Sequence, residues 1–169
     1  MLREIVGFRQ DDHGDWIAGL VCLHSQHVRH RPPFQPRPWV ETPVGRAERV
    51  GTELDCPLCD RAELPDGLRR VRTAGPFTSA TLPPGLRRAH RVAPRTWGLL
   101  RVLDGEVTIT LETVPAIIAR LHAGDEQAIP PDVLHAVYLG QPDERCQLEV
   151  DFLTGSPTPV TAAATDAAT

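Results

Sequence analysis

Four cysteines and seven histidines stand in this chain of 169 residues, and their spacing more than their number points to chemistry. Cys56-Pro57-Leu58-Cys59 places two thiols on one tight turn, where two thiolates can take two corners of a metal tetrahedron. Cys22-Leu23-His24 offers a thiol and an imidazole two residues apart at the end of an apolar run, so both side chains are expected to face the same way from a strand end. Cys22, His24, Cys56 and Cys59 together make a Cys₃His set suited to a structural zinc ion. His27 and His30, in the same histidine-rich run, compete with His24 for the fourth corner. A redox Cys-x₂-Cys needs a βαβ context, which the pattern lacks. Cys146, in a later apolar strand, reads as an ordinary buried thiol.

A second constellation lies downstream. His90 opens a strand, His135 follows Pro130-Pro131 into another, and Asp151 stands between Val150 and Phe152 in an otherwise apolar closing strand. Two histidines and one carboxylate can hold zinc, iron or manganese with positions left open for a ligand. His90, His135 and Asp151 are therefore candidate ligands of a second divalent metal, set against the plainer reading of each histidine as a packed residue hydrogen-bonded at one nitrogen. Glu149 shares the Asp151 face by alternation and is the nearby acid or base that an enzyme would use. Trp97 and Arg101 are candidates for the pocket wall, the arginine through its forked donors. The alternative for Asp151 is a plain ion pair with Arg101 or Arg145.

The elements that must position these residues are mostly strands. Residues 3–9 and 16–22 flank the turn signature Asp11-Asp12-His13-Gly14-Asp15 and predict a hairpin. Thr42-Pro43 reads as the cap and first-turn proline of a short helix closed by Gly51. The polar, basic stretch that follows Cys59 reads as a linker over residues 63–75. From Phe77 on, about seven short strands alternate with turns, which predicts a sandwich or barrel. Asp104-Gly105 has the form of a two-residue hairpin turn between neighbouring strands. Gly140-Gln141-Pro142-Asp143 reads as a turn into the last strand, and the Thr, Ala and Pro tail as disordered. The expected organisation is thus residues 1–62, a linker at 63–75, a β module at 76–153 and a tail at 154–169.

Two resemblances extend this reading. The pattern Cys22-x-His24-Ser25-Gln26-His27-Val28-Arg29-His30-x-Pro32-Pro33, with Arg37-Pro38-Trp39-Val40, Gly45-Arg46 and Cys56-x₂-Cys59, resembles a small bacterial family of uncharacterised zinc-ribbon-like domains, over roughly residues 4–61. Phe34 stands where that family would have Trp. Residues 72–153 look like the small cupin-type domain found at the N-terminus of tellurite-resistance methyltransferases and in stand-alone nitrate- or stress-linked proteins. The residues that carry this are Phe77-Thr78, Leu82-Pro83, Leu86, His90, Thr96-Trp97-Gly98, Leu100-x-Val102-Leu103-x-Gly105-Glu106, Ile129-Pro130-Pro131, His135 and Val150-Asp151-Phe152. The resemblance implies a mainly β chain, a zinc-ribbon-like module followed by a single-domain cupin of jelly-roll type. In it His90, His135 and Asp151 fall on the metal-facing positions. It also implies pairing of copies through strands, hence a homodimer. The general cupin pattern His-x-His-x₃-Glu is absent, its places being taken by Val92, Pro94 and Gly98. With no Gly-rich cofactor loop, methyl transfer is not expected.

Composition narrows the function classes. Net charge is −4, which argues against general nucleic-acid binding and leaves Arg29, Arg31, Arg37, Arg46 and Arg49 as the one basic surface that could serve it. No run approaches the ~18 apolar residues of a membrane span, and the first residues lack the build of a secretory signal. A cytoplasmic protein is expected, in which cysteines serve metal more readily than disulfides. The leading expectation is a two-module metal protein whose cupin binds a metal and a small ligand or oxyanion, in tellurite or nitrosative-stress response. The rivals are a metal-dependent oxygenase or isomerase and a zinc-ribbon adaptor for nucleic acid or protein.

Overall fold

The computed structural model describes residues 1–139 and 145–155. Two compact units emerge, Leu2–Cys56 and Pro57–Gly155, the second also including Met1. The expected turn at residues 140–143 and the expected tail beyond Gly155 lie outside the described residues. No helix among the described residues is long and apolar enough to cross a membrane.

The first unit is a four-stranded antiparallel sheet. Its strands are β1 (Leu2–Gln10), β2 (Trp16–Leu20), β3 (Ser25–His27) and β4 (Glu53–Asp55), in the order β3-β2-β1-β4. The expected hairpin is present, with Gln10 opposite Trp16. Asp11 builds its turn by accepting the backbone N–H of both His13 and Asp15 on one carboxylate oxygen. Between β3 and β4 runs the short helix α1 (Pro43–Ala47), whose Thr42 cap accepts from the Gly45 N–H and whose first position is Pro43.

Gly45 and Arg46 are explained by what surrounds them. A Cβ on Gly45 would come within 2.6 Å of the Trp39 carbonyl oxygen. The Arg46 guanidinium lies 3.5 Å from the Trp16 ring centroid and donates to the Val40 carbonyl at 2.6 Å. Burial lowers the pKa of this arginine, and the ring face and the carbonyl take the place of water around its charge.

The second unit begins with α2 (Pro57–Asp60) and continues as β5 (Arg69–Phe77), β6 (His90–Arg91), β7 (Trp97–Asp104), β8 (Glu106–Leu111), β9 (Ile117–His122), β10 (Glu126–Ile129), β11 (Leu134–Leu139) and β12 (Gln147–Thr154). They form two four-stranded sheets, β10-β7-β12-β5 and β6-β11-β8-β9. Leu100, Val102, Leu148, Val150 and Ile129 of the first pack with Val107, Ile109, Leu111, Leu121 and Val137 of the second in one core. The unit is mainly β, with antiparallel pairing throughout.

Two expectations are corrected here. The stretch expected as a linker carries β5 from Arg69 onward, paired along β12 from Thr154↔Arg69 to Leu148↔Phe77. Its basic composition hid a strand whose hydrogen bonds are all long-range. Asp104-Gly105 is not a hairpin turn either. β7 and β8 belong to different sheets, and Gly105, at φ +74°, is the corner where the chain crosses between them. A side chain there would run into the Arg145 carbonyl.

Candidate metal centre and cavity

Two tight turns build the cysteine cluster. After β2 the chain reverses over Leu20–His24, with Leu23 N–H bonded to Leu20 O and Leu20 N–H to His24 O. Leu23 takes φ +74° in that reversal. Cys22 and His24 therefore meet around a turn, and not along one face of a strand end as their spacing suggested. Cys56 directly follows β4 and Cys59 lies in the single turn of α2, which is closed by the Ala62 N–H on Cys59 O with Ala62 at φ +51°.

The four donor atoms lie within 4.8 Å of one another, and all four residues are buried. The Cys22 and Cys56 sulfurs are 3.9 Å apart, and the His24 Nδ1 lies 3.6 Å from the first and 3.3 Å from the second. Tetrahedral zinc with Zn–S near 2.3 Å and Zn–N near 2.05 Å has edges of about 3.8 Å between sulfurs and about 3.5 Å between sulfur and nitrogen. These three separations match the edges of such a tetrahedron, and the Cys22–Cys56 separation is far too long for a disulfide, whose S–S bond is about 2.05 Å. None of the four cysteines is in a disulfide.

Electrostatics agree with the geometry. Burial pushes the His24 imidazole down, but the hydrogen bonds to Cys22 and Cys56 more than reverse this and raise it to about 9. Positive charge is favoured between the thiols, and a divalent cation would supply it. The donor set, soft thiolates with one imidazole, fits zinc among the common metals.

The other histidines of that run are occupied elsewhere. His27 Nε2 is 2.9 Å from Asp11 Oδ2, and this bond is the main reason why the Asp11 pKa is lowered to about 2. His30 Nδ1 accepts the Arg37 N–H at 2.9 Å. His24 alone of the three joins the cluster. Of the basic residues there, Arg29 is paired with Asp15 and Arg46 is buried against Trp16, so the expected basic surface loses two of its members.

Of the downstream set, the structure brings His90 and His135 together and leaves Asp151 apart from them. His90 and His135 face each other across the β6–β11 pair, in direct register, with ring centroids 5.3 Å apart and nearly perpendicular planes. Asp151 is on the opposite face of β12. It is 1% exposed, accepts from the Thr73 hydroxyl, and lies 3.0 Å from Arg101 Nη2 and 3.5 Å from Arg70 Nη1. The period-2 alternation of a strand explains the separation. Leu148, Val150 and Phe152 turn to the His side, so Asp151 and Glu149 turn away, where both meet Arg101. Arg101 and Trp97 share that outward parity and do not line the His-bearing cavity. Cys146 is buried apart from the cluster, with its thiol 3.3 Å from the Glu106 carbonyl.

The two histidines border a cavity of about 240 Å³. Leu100, Ile129, Val137, Leu148 and Val150 line its interior, and Arg72, Pro83, Gly85 and His90 are its exposed members. His135 is buried and its Nδ1 is 3.1 Å from the Val133 carbonyl, which can only accept, so Nδ1 carries the proton. Burial lowers the His135 pKa, with His90 adding to the effect.

Arg72 is a functional candidate that the sequence reading missed, because it fell in the supposed linker. The Asp66-Gly67 turn just before β5 is the signal that announces a strand start there. A β-bulge explains its direction. Arg70 pairs with Leu153 and Arg72 with Phe152, so two residues of β5 span one step of β12, and the two arginines point to opposite faces.

Residues 6–63 match the family described as protein of unknown function DUF3565, and residues 72–148 match the TehB-like domain. Among solved structures, a protein from E. coli (strain K12) is 20% identical over 56% of this chain and 97% of its own, with a TM-score of 0.49. TehB from Haemophilus influenzae is 19% identical over 53% of this chain and 32% of its own, with a TM-score of 0.44. A cupin protein from Bacteroides fragilis is 18% identical over 60% of this chain and 72% of its own, with a TM-score of 0.31. No curated protein matches the chain.

Proposed function

We propose that this chain is a two-module binding protein. A zinc-ribbon-like module is held by Zn²⁺ on Cys22, His24, Cys56 and Cys59, and a cupin-type barrel takes a small ligand into the cavity bordered by His90 and His135. The observation that carries the zinc assignment is the set of 3.9, 3.6 and 3.3 Å separations between buried donors. Four protein donors close the coordination sphere, so zinc here supplies folding energy and has no open position for catalysis. The barrel is read without a metal, because it brings two imidazoles together and sends the Asp151 carboxylate to the other face. The TehB-like match supports the barrel reading; a part in tellurite or nitrosative-stress response, and a cytoplasmic site of action, rest on the resemblance alone.

The test is metal content per chain, on protein purified without chelator or affinity-tag metal, for wild type, Cys56→Ser, His135→Ala and Asp151→Asn. One zinc is expected in wild type, His135→Ala and Asp151→Asn, and none in Cys56→Ser. A metal-free wild type, or a Cys56→Ser variant that keeps its zinc, overturns the assignment. A second metal lost with His135→Ala would return the barrel to the metal sites.

A further inference from the structure

The ligand class of the cavity can be read from its wall. We propose that it binds a small carboxylate with an apolar body, of about benzoate size, with the carboxylate at the Arg72 rim and the body among Leu100, Ile129, Leu148 and Val150. This rests on the reading of the barrel as a ligand-binding module and specifies what it binds.

Size comes first. An apolar cavity of about 150 Å³ already accommodates benzene, and this one measures about 240 Å³. Acetate, nitrite or tellurite would leave most of the aliphatic wall uncovered, and burial of that wall is the larger source of affinity.

Charge comes second. Arg70 and Arg101 face Asp151 on the outer side of the sheet. Arg72 is turned to the cavity by the bulge and has no carboxylate partner among the described residues. Its guanidinium carbon lies 4.2 Å from the Phe152 ring centroid. A cation–π contact of this kind occupies no carboxylate acceptor, and the guanidinium fork can still offer its N–H groups to a bidentate carboxylate. His90, exposed at the same rim, is a second donor to an anion.

Among the described residues, His135 is the buried polar side chain that lines the interior. With the His135 proton on Nδ1 and given to Val133, Nε2 keeps a lone pair. A ring hydroxyl on the ligand body can donate to it, so hydroxybenzoates are expected to bind at least as well as benzoate.

The experiment is calorimetric titration of the full-length, zinc-loaded protein with benzoate, benzyl alcohol, acetate and tellurite, repeated on Arg72→Gln. Arg72 is exposed, and its replacement leaves the core intact. Expected are saturable benzoate binding, at least tenfold weaker binding of benzyl alcohol, and no detectable acetate. Arg72→Gln should weaken benzoate at least tenfold and leave benzyl alcohol unchanged. Equal binding of benzoate and benzyl alcohol, indifferent to Arg72→Gln, overturns the carboxylate assignment while the cavity remains a ligand site. Tellurite binding without benzoate binding overturns the apolar body and keeps an oxyanion site. Failure of all four probes removes the barrel ligand site together with this inference. A Leu86→Trp variant, which narrows the rim, should abolish benzoate binding; benzoate binding unchanged in it places the ligand elsewhere and overturns the proposal.

Discussion

At the scale of single residues, burial sets the behaviour of His135. Its folded pKa lies below the ordinary 6.5, because burial penalises the imidazolium. Between that lowered value and 6.5 the unfolded chain binds a proton that the folded chain does not. Stability conferred by neutral His135 is therefore complete above 6.5 and is lost as pH falls through 6.5 toward the folded value. Urea unfolding at about pH 7.5 and about pH 5.5 should show wild type losing more stability on acidification than His135→Gln. Equal losses would mean that the His135 cavity wall is wet enough to carry the charge. His24 behaves in the opposite way, since the neighbouring thiols raise it, and its proton must leave when a metal enters.

At the scale of elements, corners and bulges aim the side chains. Gly105 carries the chain from one sheet to the other at φ +74°, with the Arg145 carbonyl where a Cβ would lie. Gly124 has a comparable φ of +94° but open space where a Cβ would lie. Gly124→Ala should cost about 1 kcal/mol for the left-handed backbone alone. Gly105→Ala adds overpacking and should cost about 2–4 kcal/mol, read by chemical denaturation. Equal costs would show that the backbone of residues 145–146 yields to the added methyl. The bulge in the β5–β12 pairing does comparable work for function, since it sends Arg70 to Asp151 and Arg72 to the cavity.

At the scale of the whole molecule, the two units rest on different resources. The first has a short list of buried apolar side chains, Ile5, Phe8, Ile17, Leu20, Val28 and Val40 among them, over some fifty residues. A core of that size rarely supplies more than about 3–5 kcal/mol, and small domains usually add a metal or a disulfide. The second unit has a continuous two-sheet core of its own. Chelation of the purified protein should therefore deprotect the amides of β1 and β2 and leave those of β7 and β12 protected, as read by hydrogen exchange. Persistent protection of β1 and β2 in metal-free protein would show that the apolar core alone holds the first unit.

What the chain determined by itself was local. The Cys-x-His and Cys-x₂-Cys spacings, the Asp11 turn, the Thr42-Pro43 helix start and the alternation of the later strands all act within a few residues, and all appear in the structure. The tertiary structure decided the long-range questions. It chose His24 over His27 and His30, because Asp11 and the Arg37 N–H claimed the others. It placed Asp151 away from His90 and His135, because alternation separates faces and only packing says which face is the interior. It made a strand of a basic run and a corner of Asp104-Gly105, because pairing partners dozens of residues away set register. A single bulge then reversed the face of one arginine, a change that carries no local signature in the residues themselves.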